Sequence, residues 1–465
     1  MSSWQELDDA PTPRQCACNW RLVLACHVAH LLTLGSLYSF SVLYKALLED
    51  ASLEGNRASA AAVGAAASCT MLACGLVTGA LVTRYGHRRV GLAGALLLFL
   101  GLLLASLATT IPALLLTFGV LGGAGANLSF SPGIMLIPLH FKKNRALATG
   151  LAVAGSGVGT LAVSQALTAA IETAGWRAAL RGLAIASLVG VTAAAAHYAP
   201  PAPLPLLPHP AAECTSEATA AAAAAAAATG AGPAAPPGLG GDLPAEAAQP
   251  PPMAPKPLAA PAPLTLSQLT AHPCWLPISV AHALYGGFIW ATYAHLIPAC
   301  MDWGLSAEQG ASALSMVGLC GAAGRVLLGL AADRLRASKV GLLAGSMAIA
   351  GVPILTLAVL GGGSPPAPPL VILACGIFGL FSGSVVSQVP PLLATLMGQE
   401  NLPLALGSQY SVQVPFVLAL PPLVGWLREQ QGSYSVGMGV CGCAFIIAPL
   451  AILPLMKREP PTLGH

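Results

Sequence analysis

The chain has 465 residues, of which 55% are hydrophobic and only 8% are charged, and its formal net charge is +3. Soluble domains carry roughly 25% charged residues, so this composition excludes a globular protein in water and predicts a surface covered by the lipid bilayer. Because the net charge is small, it gives no sign of a nucleic-acid partner, and we expect none.

Apolar segments long enough to cross a membrane recur along the chain. A membrane-spanning helix needs about 20 largely apolar residues, and twelve such segments are present. The predicted spans lie near residues 20–47, 58–82, 89–109, 111–139, 145–171, 176–198, 273–300, 308–332, 338–361, 367–397, 402–428 and 434–456. The sequence therefore predicts an all-α membrane protein of twelve transmembrane helices in two groups of six.

Polar segments divide the chain into five predicted parts. Residues 1–14 form a polar tail without the features of a signal or transit peptide, and residues 459–465 form a second tail. Residues 200–264 are mainly Pro, Ala and Gly. Proline at this density prevents a continuous helix, so we expect a disordered linker. This linker separates an N-terminal half at 15–199 from a C-terminal half at 265–458.

Lys and Arg are distributed unequally between the two sides of the predicted membrane. With an even number of spans both termini share one side, and that side carries 14 of the 20 cationic residues. Five lie on the other side and Arg325 lies inside a span. Loops rich in Lys and Arg stay in the cytoplasm. We therefore expect an integral membrane protein of the plasma membrane, with both termini and the linker in the cytoplasm.

A short basic motif follows the second span and again the eighth. The first copy, GALVTRYGHRR, covers residues 79–89, and the second, GLAADRLRASK, covers 329–339. Parallel halves of six spans are the layout of the major facilitator superfamily, and the motif resembles that superfamily's cytoplasmic signature, Gly-x-x-x-Asp-Arg-x-Gly-x-(Arg/Lys). Asp333 of the second copy can accept hydrogen bonds at a neighbouring helix N-terminus. In the first copy Thr83 replaces the acid, so we expect a weaker contact there.

The motif residues are candidates for controlling the change between inward-facing and outward-facing conformations. Glycine lets two helices approach closely, and we expect the arginines to pair across the halves in one conformation only. The candidate gating residues are Gly79, Arg84, Arg88, Arg145, Gly329, Asp333 and Arg334.

Three further stretches indicate which family within the superfamily the chain resembles. FKKNRALATGLAVAGSGVG, residues 141–159, resembles the signature of the monocarboxylate transporter family, in which Arg-x-Leu-Ala-x-Gly is followed by a run of small residues. Residues 293–334 resemble that family's seventh and eighth spans, and residues 420–434 its eleventh. The family's N-terminal Asp-Gly-Gly-Trp-Gly-Trp motif is replaced by QCACNW at 15–20. Bacterial oxalate/formate-type carriers share much of this pattern.

Gly155 and Gly159 form a small-x-x-x-small pair within the first of these stretches. In lipid such a face lets two helices pack backbone to backbone. We expect close helix packing there and no nucleotide-binding role, because no strand precedes the glycines.

Arg325 is the clearest functional candidate. An ionisable group inside a span is costly and marks a functional site, and a planar guanidinium binds a carboxylate bidentately. The resemblance implies that an arginine here pairs with an acid one turn earlier, in substrate and proton binding, but this chain has Gly321 there. The family's lysine in span one aligns with Val42, and Lys45 lies about one turn further on.

Proton coupling then needs another carrier, because an arginine without an acidic partner stays charged. The four histidines of spans one and seven are candidates, since histidine titrates near neutral pH; each is alternatively a packing residue. They are His27, His30, His282 and His295. The candidate substrate-binding residues are Arg325, Tyr38, Asn127, Tyr293, His295, Gln388 and Gln409. Any of the polar groups can instead hydrogen-bond to a neighbouring helix.

We therefore expect a secondary transporter that moves a small organic anion, above all a monocarboxylate, by alternating access, with the proton as candidate co-substrate. The alternative is an uncoupled or exchange carrier for mono- or dicarboxylates such as oxalate or formate, favoured by Gly321. A hypothesis of another class is a transport-inactive membrane sensor or adaptor, since two charges of the family are missing.

Enzymatic and metal-dependent functions find no support in the sequence. The chain has no HExxH and no G-x-S-x-G motif, so we expect no enzyme. The twelve cysteines lack zinc spacing, so we expect no metal and no cofactor. Whether a single-span accessory subunit accompanies the chain is left open.

Overall fold

A computed structural model describes residues 13–50, 53, 57–141, 143–200, 263–335, 337–363 and 366–458. The predicted linker at 200–264 lies almost entirely outside these residues, as do the tail at 459–465 and nearly all of the tail at 1–14. The division into five parts therefore stays a prediction.

Twelve long helical stretches, numbered α1–α12 here, and the short helix Leu266–Ala271 make up most of the described chain. α1 is Pro13–Tyr38 continued by Phe40–Glu49, α2 is Arg57–Tyr85, and α3 is His87–Leu107. α4 joins Ile111–Leu114, a π-helical segment Leu115–Gly122, and Gly123–His140; α5 and α6 are the two arms of Arg145–Ala195. α7 is Trp275–Asp302, α8 is Ala307–Arg334, α9 is Lys339–Gly361, and α10 is Pro368–Met397. α11 joins Leu402–Ser411 to Val414–Gln431, and α12 is Ser435–Ile447 with 3₁₀ turns to Arg458.

These helices coincide with the twelve predicted spans, and the all-α membrane fold is confirmed. Ten of the described helices are long and apolar enough to cross a membrane. One of the ten, Arg145–Ala195, has 51 residues and a non-helical Gly175 at φ +82°, so it supplies two spans, α5 and α6. The remaining span is α7, which has 28 residues but is less apolar because histidine and tyrosine lie along it.

Two helix pairs make the most extensive contacts between the N-terminal and C-terminal halves, α5 with α8 and α2 with α11. In the first pair a Cβ added at Gly329 would lie 2.6 Å from the carbonyl oxygen of Ala146. In the second pair Gly79 packs in the same way against the carbonyl of Pro403. The two copies of the basic motif therefore make equivalent contacts, and glycine is needed in both because the backbones touch.

The equivalence continues four residues further into the membrane. Gly150 of α5 packs against the carbonyl of Arg325 on α8, and Gly407 of α11 packs against the carbonyl of Gly75 on α2. Each of these contacts lies one helical turn from the motif contact of its own pair. The position that Arg325 occupies in the C-terminal half is thus held by Gly75 in the N-terminal half, so only one half supplies a cation.

A serine also ties α2 to α11, at the break in α11. The Ser411 hydroxyl accepts a hydrogen bond from the Leu76 amide at 3.0 Å and donates to the Ala73 carbonyl, also at 3.0 Å. α11 breaks just after Ser411, and Pro415 follows in the first turn of the next segment. Amides in the first turn of a helix have no acceptor within that helix, so the N–H that proline lacks is not needed there.

Each half is braced by an ion pair on the side opposite the basic motifs. Asp50 caps the end of α1 and accepts a bond from Arg177 of α6 at 2.6 Å. Asp302 ends α7 and pairs with Arg428 of α11 at 3.3 Å. Both pairs join helices of the same half.

Candidate functional site

Arg325 lies half-buried on α8 and has no fixed counter-charge. Its Nε atom is buried without a hydrogen-bond partner, and none of the ion pairs among the described residues includes its guanidinium. Gly321, one turn earlier, packs against the α10 backbone at Gly379 and so leaves no acidic group there. The guanidinium is therefore free to bind an anion from outside the chain.

Glycines of α5 bring α1 into contact with the same region. Gly155 packs against the carbonyl of His27, and Gly159 packs against the carbonyl of Leu31. These glycines belong to the stretch at 141–159, and the close packing that we predicted from their spacing is present. A Cβ at either position would overlap the α1 backbone, so the two helices could not pack this closely with larger residues.

Gly157 lies between those two contacts and meets α8. A Cβ added there would lie 3.3 Å from Nη1 of Arg325 and 2.9 Å from the Cβ of Ala322. Because α5 rises about 1.5 Å per residue, the Arg325 guanidinium lies at the same depth as the α1 turn at 27–31. α5 contacts α1 through one face and α8 through the opposite face, and so it sets the depth of the cation relative to α1.

Two of the predicted tyrosines join Arg325 from other helices. Tyr38 of α1 and Tyr293 of α7 both lie within electrostatic range of Arg325. Tyr38 is 38% exposed. It packs against Trp290 with the ring centroids 5.9 Å apart. We call Arg325, Tyr38, Tyr293 and Trp290 the Arg325 cluster. The cluster contains one cation, two hydroxyl groups and the aromatic rings that carry or adjoin them.

Sequence reasoning missed Trp290 and did not single out His30 among the four histidines. Trp290 lies three residues before Tyr293, on the same face of α7, and this spacing could have identified it. His30 of α1 also lies within electrostatic range of Arg325 and packs against Phe130 of α4 with the centroids 5.0 Å apart. No feature of the sequence favoured His30, because all four histidines lie in apolar spans.

Two of the predicted amides bond to a neighbouring helix of their own half. Asn127 of α4 accepts a hydrogen bond from Thr78 of α2 at 2.7 Å. Gln388 of α10 donates to Ser346 of α9 and to Ser384, both at 3.1 Å. These contacts favour a packing role, and a substrate role for either amide stays a prediction.

Gln409 and His295 also bond to a neighbouring helix of their own half. Gln409 of α11 donates to Ser279 of α7 at 2.8 Å, and the Nε2 atom of His295 lies 2.8 Å from the carbonyl oxygen of Pro421. Both join α7 to α11 within the C-terminal half. Lys45, the alternative cation of span one, lies exposed and pairs with Glu49 at 4.0 Å, which leaves Arg325 as the cation of the cluster.

Asp333 makes the contact predicted for the second motif copy. Its carboxylate accepts the amide hydrogens of Ala146 at 3.1 Å and Leu147 at 2.7 Å, in the first turn of α5. Asn144, the N-cap residue, contributes no side-chain bond of its own. The acid of one half therefore caps a helix of the other half, where a negative charge also favours the helix dipole. Arg145 lies beside it and donates from Nε to the Phe141 carbonyl at 2.6 Å.

The first motif copy lacks the acid and one of the two amide donors of this contact. Thr83 donates to the Gly79 carbonyl of its own helix at 3.0 Å. The equivalent helix start, α11, carries Pro403, which has no N–H to donate. The weaker contact that we predicted there has a second cause that the sequence comparison of the motifs did not reveal.

The predicted pairing of motif arginines across the halves is not formed in this conformation. Arg84, Arg88 and Arg334 are exposed, and none of them belongs to an ion pair within the described part of the chain. Arg84 instead lies over the Tyr85 ring, 5.3 Å from its centroid. The carboxylate of Asp333, not an arginine, joins the two halves here.

Comparison with known proteins agrees with this architecture. Residues 26–413 match the Major Facilitator Superfamily. Monocarboxylate transporter 11 of Mus musculus is 28% identical over 452 residues, covering 95% of this chain and 88% of that protein. Monocarboxylate transporter 12 of Homo sapiens is 27% identical over 398 residues, covering 84% and 72%.

Solved structures show the same fold at low sequence identity. The proton:xylose symporter XylE, bound to 6-bromo-6-deoxy-D-glucose, superimposes with a TM-score of 0.64 at 13% identity, covering 96% of both chains. The E. coli fucose:proton symporter FucP (N162A) gives a TM-score of 0.62 at 15% identity, covering 93% of this chain and 97% of that one.

Replacing Asp333 by alanine tests the contact between α5 and α8. The change leaves two amides of α5 uncapped, and loss of a cap costs about 1–2 kcal/mol. The relative population of the conformation in which α5 and α8 touch at the motif side should therefore fall about 5- to 30-fold. Spin labels at Tyr85 and Leu335, both exposed, measure the distance between the two motif copies. We expect a longer-distance population in D333A.

Thr83→Ala is the matched control, because Thr83 bonds only within its own helix. Its distance distribution should equal that of the unchanged protein. A D333A distribution that also stays unchanged would show that Asp333 does not hold the halves together.

Proposed function

The chain belongs to the Major Facilitator Superfamily, and we propose that this transporter moves a small organic anion, above all a monocarboxylate, by alternating access. The uncompensated Arg325 guanidinium carries this proposal. A cation held inside a membrane is costly without a partner, and a carboxylate substrate is the partner that its planar donors fit. Relatives named monocarboxylate transporters support the choice of anion.

The hydroxyl groups of the Arg325 cluster fit the same ligand. Tyr38 and Tyr293 can donate hydrogen bonds to a carboxylate oxygen, or to a hydroxyl or keto oxygen beside it. Trp290 adds an apolar surface next to Tyr38. A small organic acid thus finds a charge for its carboxylate and aromatic contacts for its remainder. Four other residues of the predicted site would act indirectly, by holding in place the helices that carry the cluster. They are Asn127, Gln388, Gln409 and His295.

The way the two halves are joined supports alternating access. Asp333 bonds α8 to the start of α5 at the motif side, so the halves cannot separate there until these bonds break. Gly329 and Arg145 belong to the same contact and Gly79 to the equivalent contact of α2 with α11, whereas Arg84, Arg88 and Arg334 would become available for pairing in another conformation. We place the motif side in the cytoplasm and the protein in the plasma membrane, on the distribution of Lys and Arg.

An exchange carrier is the second candidate, and the missing acid favours it. Within the described residues no carboxylate neutralises Arg325 when the substrate leaves. The empty carrier would then have to reorient with a bare cation in the membrane, which is slow, whereas an anion bound in both directions would remove that cost. Mono- and dicarboxylates such as oxalate and formate are the substrates to test for this alternative.

Replacing Arg325 by glutamine tests the proposal directly. Purified protein in vesicles is given labelled pyruvate, lactate or oxalate, and saturable uptake is measured. Loss of one partner of a buried charge pair costs about 2–5 kcal/mol, so R325Q should lose at least about 30-fold in kcat/KM. Arg181→Gln is the control, because Arg181 is an exposed arginine on α6, and it should transport normally. Normal flux in R325Q contradicts the proposal, and no flux of any of these anions in the unchanged protein favours the adaptor hypothesis.

Gly157→Ala gives an independent test that keeps every charge. The added methyl group would lie 3.3 Å from Nη1 of Arg325 and 2.9 Å from Ala322, so the guanidinium must shift. Overpacking of this kind costs about 1–3 kcal/mol, and we expect KM for the transported anion to rise about fivefold or more. Gly318→Ala, on the same helix as Arg325, meets no atom within 4 Å and should leave KM unchanged. An equal KM in both variants would show that the position of the Arg325 guanidinium does not affect substrate binding.

A further inference from the structure

The N-terminal half carries a strongly basic surface at the helix ends on the motif side. Exposed cations lie near the start of α1, at the end of α2, near the start of α3 and in the loop after α4. They are Arg21, Arg84, Arg88, Arg89 and Lys143, and we call these five residues the basic surface. None of them belongs to an ion pair within the described part of the chain.

No acidic side chain of the described N-terminal half lies near these helix ends. Its described acids are Glu49, Asp50 and Glu172, and all three lie at the opposite end of the helices, at the end of α1 and near the turn between α5 and α6. The C-terminal half also has cations on the motif side, but Asp333 and Glu400 accompany them there. The basic surface therefore lacks a local counter-charge and attracts anions from outside the chain.

A tight turn holds three of the five cations close together. Arg84 precedes Gly86 at the end of α2, and Arg88 and Arg89 follow it in the first turn of α3. Gly86 has φ +83°, and a Cβ added there would meet no atom within 4 Å, so the turn is open to its surroundings. Guanidinium groups bind phosphate bidentately, so three of them around one open turn favour a phosphate-bearing partner.

The helix faces that carry these cations continue as exposed apolar faces within the membrane. Leu96 lies two turns after Arg89 on the same face of α3. Val77 lies two turns before Arg84 on the same face of α2. Both apolar side chains are exposed. A partner that touches the cations and extends along these faces must itself have a charged end and an apolar remainder.

Two exposed aromatic residues place the basic surface at the level of the lipid headgroups. Trp20 precedes Arg21 on α1, and Tyr85 follows Arg84 on α2; both aromatic residues are exposed. Trp20 packs edge-on against Phe141 with the ring centroids 5.2 Å apart, so its position is fixed. Trp and Tyr are enriched at the boundary between the hydrocarbon core and water, where headgroups lie.

We infer that the basic surface binds anionic phospholipid. The headgroup phosphate pairs with the guanidinium groups around Gly86, and the acyl chains lie along the exposed faces of α2 and α3. A soluble phosphate compound would meet the same cations but would leave these apolar faces without a partner. The motif side is the side that we place in the cytoplasm, and the cytoplasmic leaflet carries the anionic lipids of a cell membrane.

The test measures lipid binding to the purified, full-length protein in detergent. Native mass spectrometry counts the lipids bound when phosphatidylserine and phosphatidylcholine are added in equal amounts, and we expect phosphatidylserine to be preferred. Each cation near an anionic lipid strengthens binding about fivefold, so replacing Arg88 and Arg89 by glutamine should raise the Kd for phosphatidylserine about tenfold or more. Binding of phosphatidylcholine should not change.

Two double variants serve as controls. R88K/R89K keeps both charges and should retain most of the phosphatidylserine binding. K45Q/R181Q removes two exposed cations at the opposite end of the helices and should bind like the unchanged protein, which separates the basic surface from the net charge of the chain. Glycerophosphoserine, the headgroup without acyl chains, should displace phosphatidylserine only weakly.

Four outcomes overturn the inference. They are equal binding of the two lipids by the unchanged protein, unchanged phosphatidylserine binding in R88Q/R89Q, an equal loss in R88K/R89K, and displacement by glycerophosphoserine as effective as by phosphatidylserine itself. The last outcome would assign the surface to a soluble anion. Because the measurement involves no transport, each of these results leaves the proposed function standing.

Discussion

Backbone contact between α5 and its two neighbours is the constraint on which the central site depends. Gly155 and Gly159 bring α5 against α1, and Gly157 lies against the guanidinium of Arg325. In a membrane the hydrophobic effect does not drive helices together, so small residues that allow close packing determine which helices meet and at what depth. The stretch at 141–159, which resembles a family signature, therefore determines how closely the helices pack. It contributes no charged group to the site.

The two halves share an architecture but differ in chemistry at equivalent positions. Gly75 occupies in the N-terminal half the position that Arg325 occupies in the C-terminal half, and Thr83 stands where the second motif copy has Asp333. The C-terminal half thus supplies both the cation of the site and the carboxylate that joins the halves. The N-terminal half supplies the helix start that the carboxylate caps, together with Tyr38. The anion that we propose as substrate would meet the cation of one half and the Tyr38 hydroxyl of the other.

The sequence predicted the fold well, because span length and apolar content depend on the bilayer and not on tertiary contacts. It also identified Arg325, since a charge inside a span stands out against apolar neighbours. The partners of Asn127, Gln388, Gln409 and His295 could not be predicted, because a polar side chain in a span looks the same whether it faces a substrate or another helix. The Asp333 contact was predictable from the motif, whereas the matching loss of a donor at Pro403 required knowing which helix start lies opposite Thr83.

The serine at the break in α11 has a mechanical consequence. Ser411 lies nine residues from the start of α11, about 14 Å along the axis and hence close to the centre of the bilayer. A bond at the centre of a rocking body is displaced little, while one at its end is displaced most. In the proposed alternating access, the bonds of Ser411 to α2 would therefore move little. The Asp333 bonds, at the rim, would open and close once in every transport cycle.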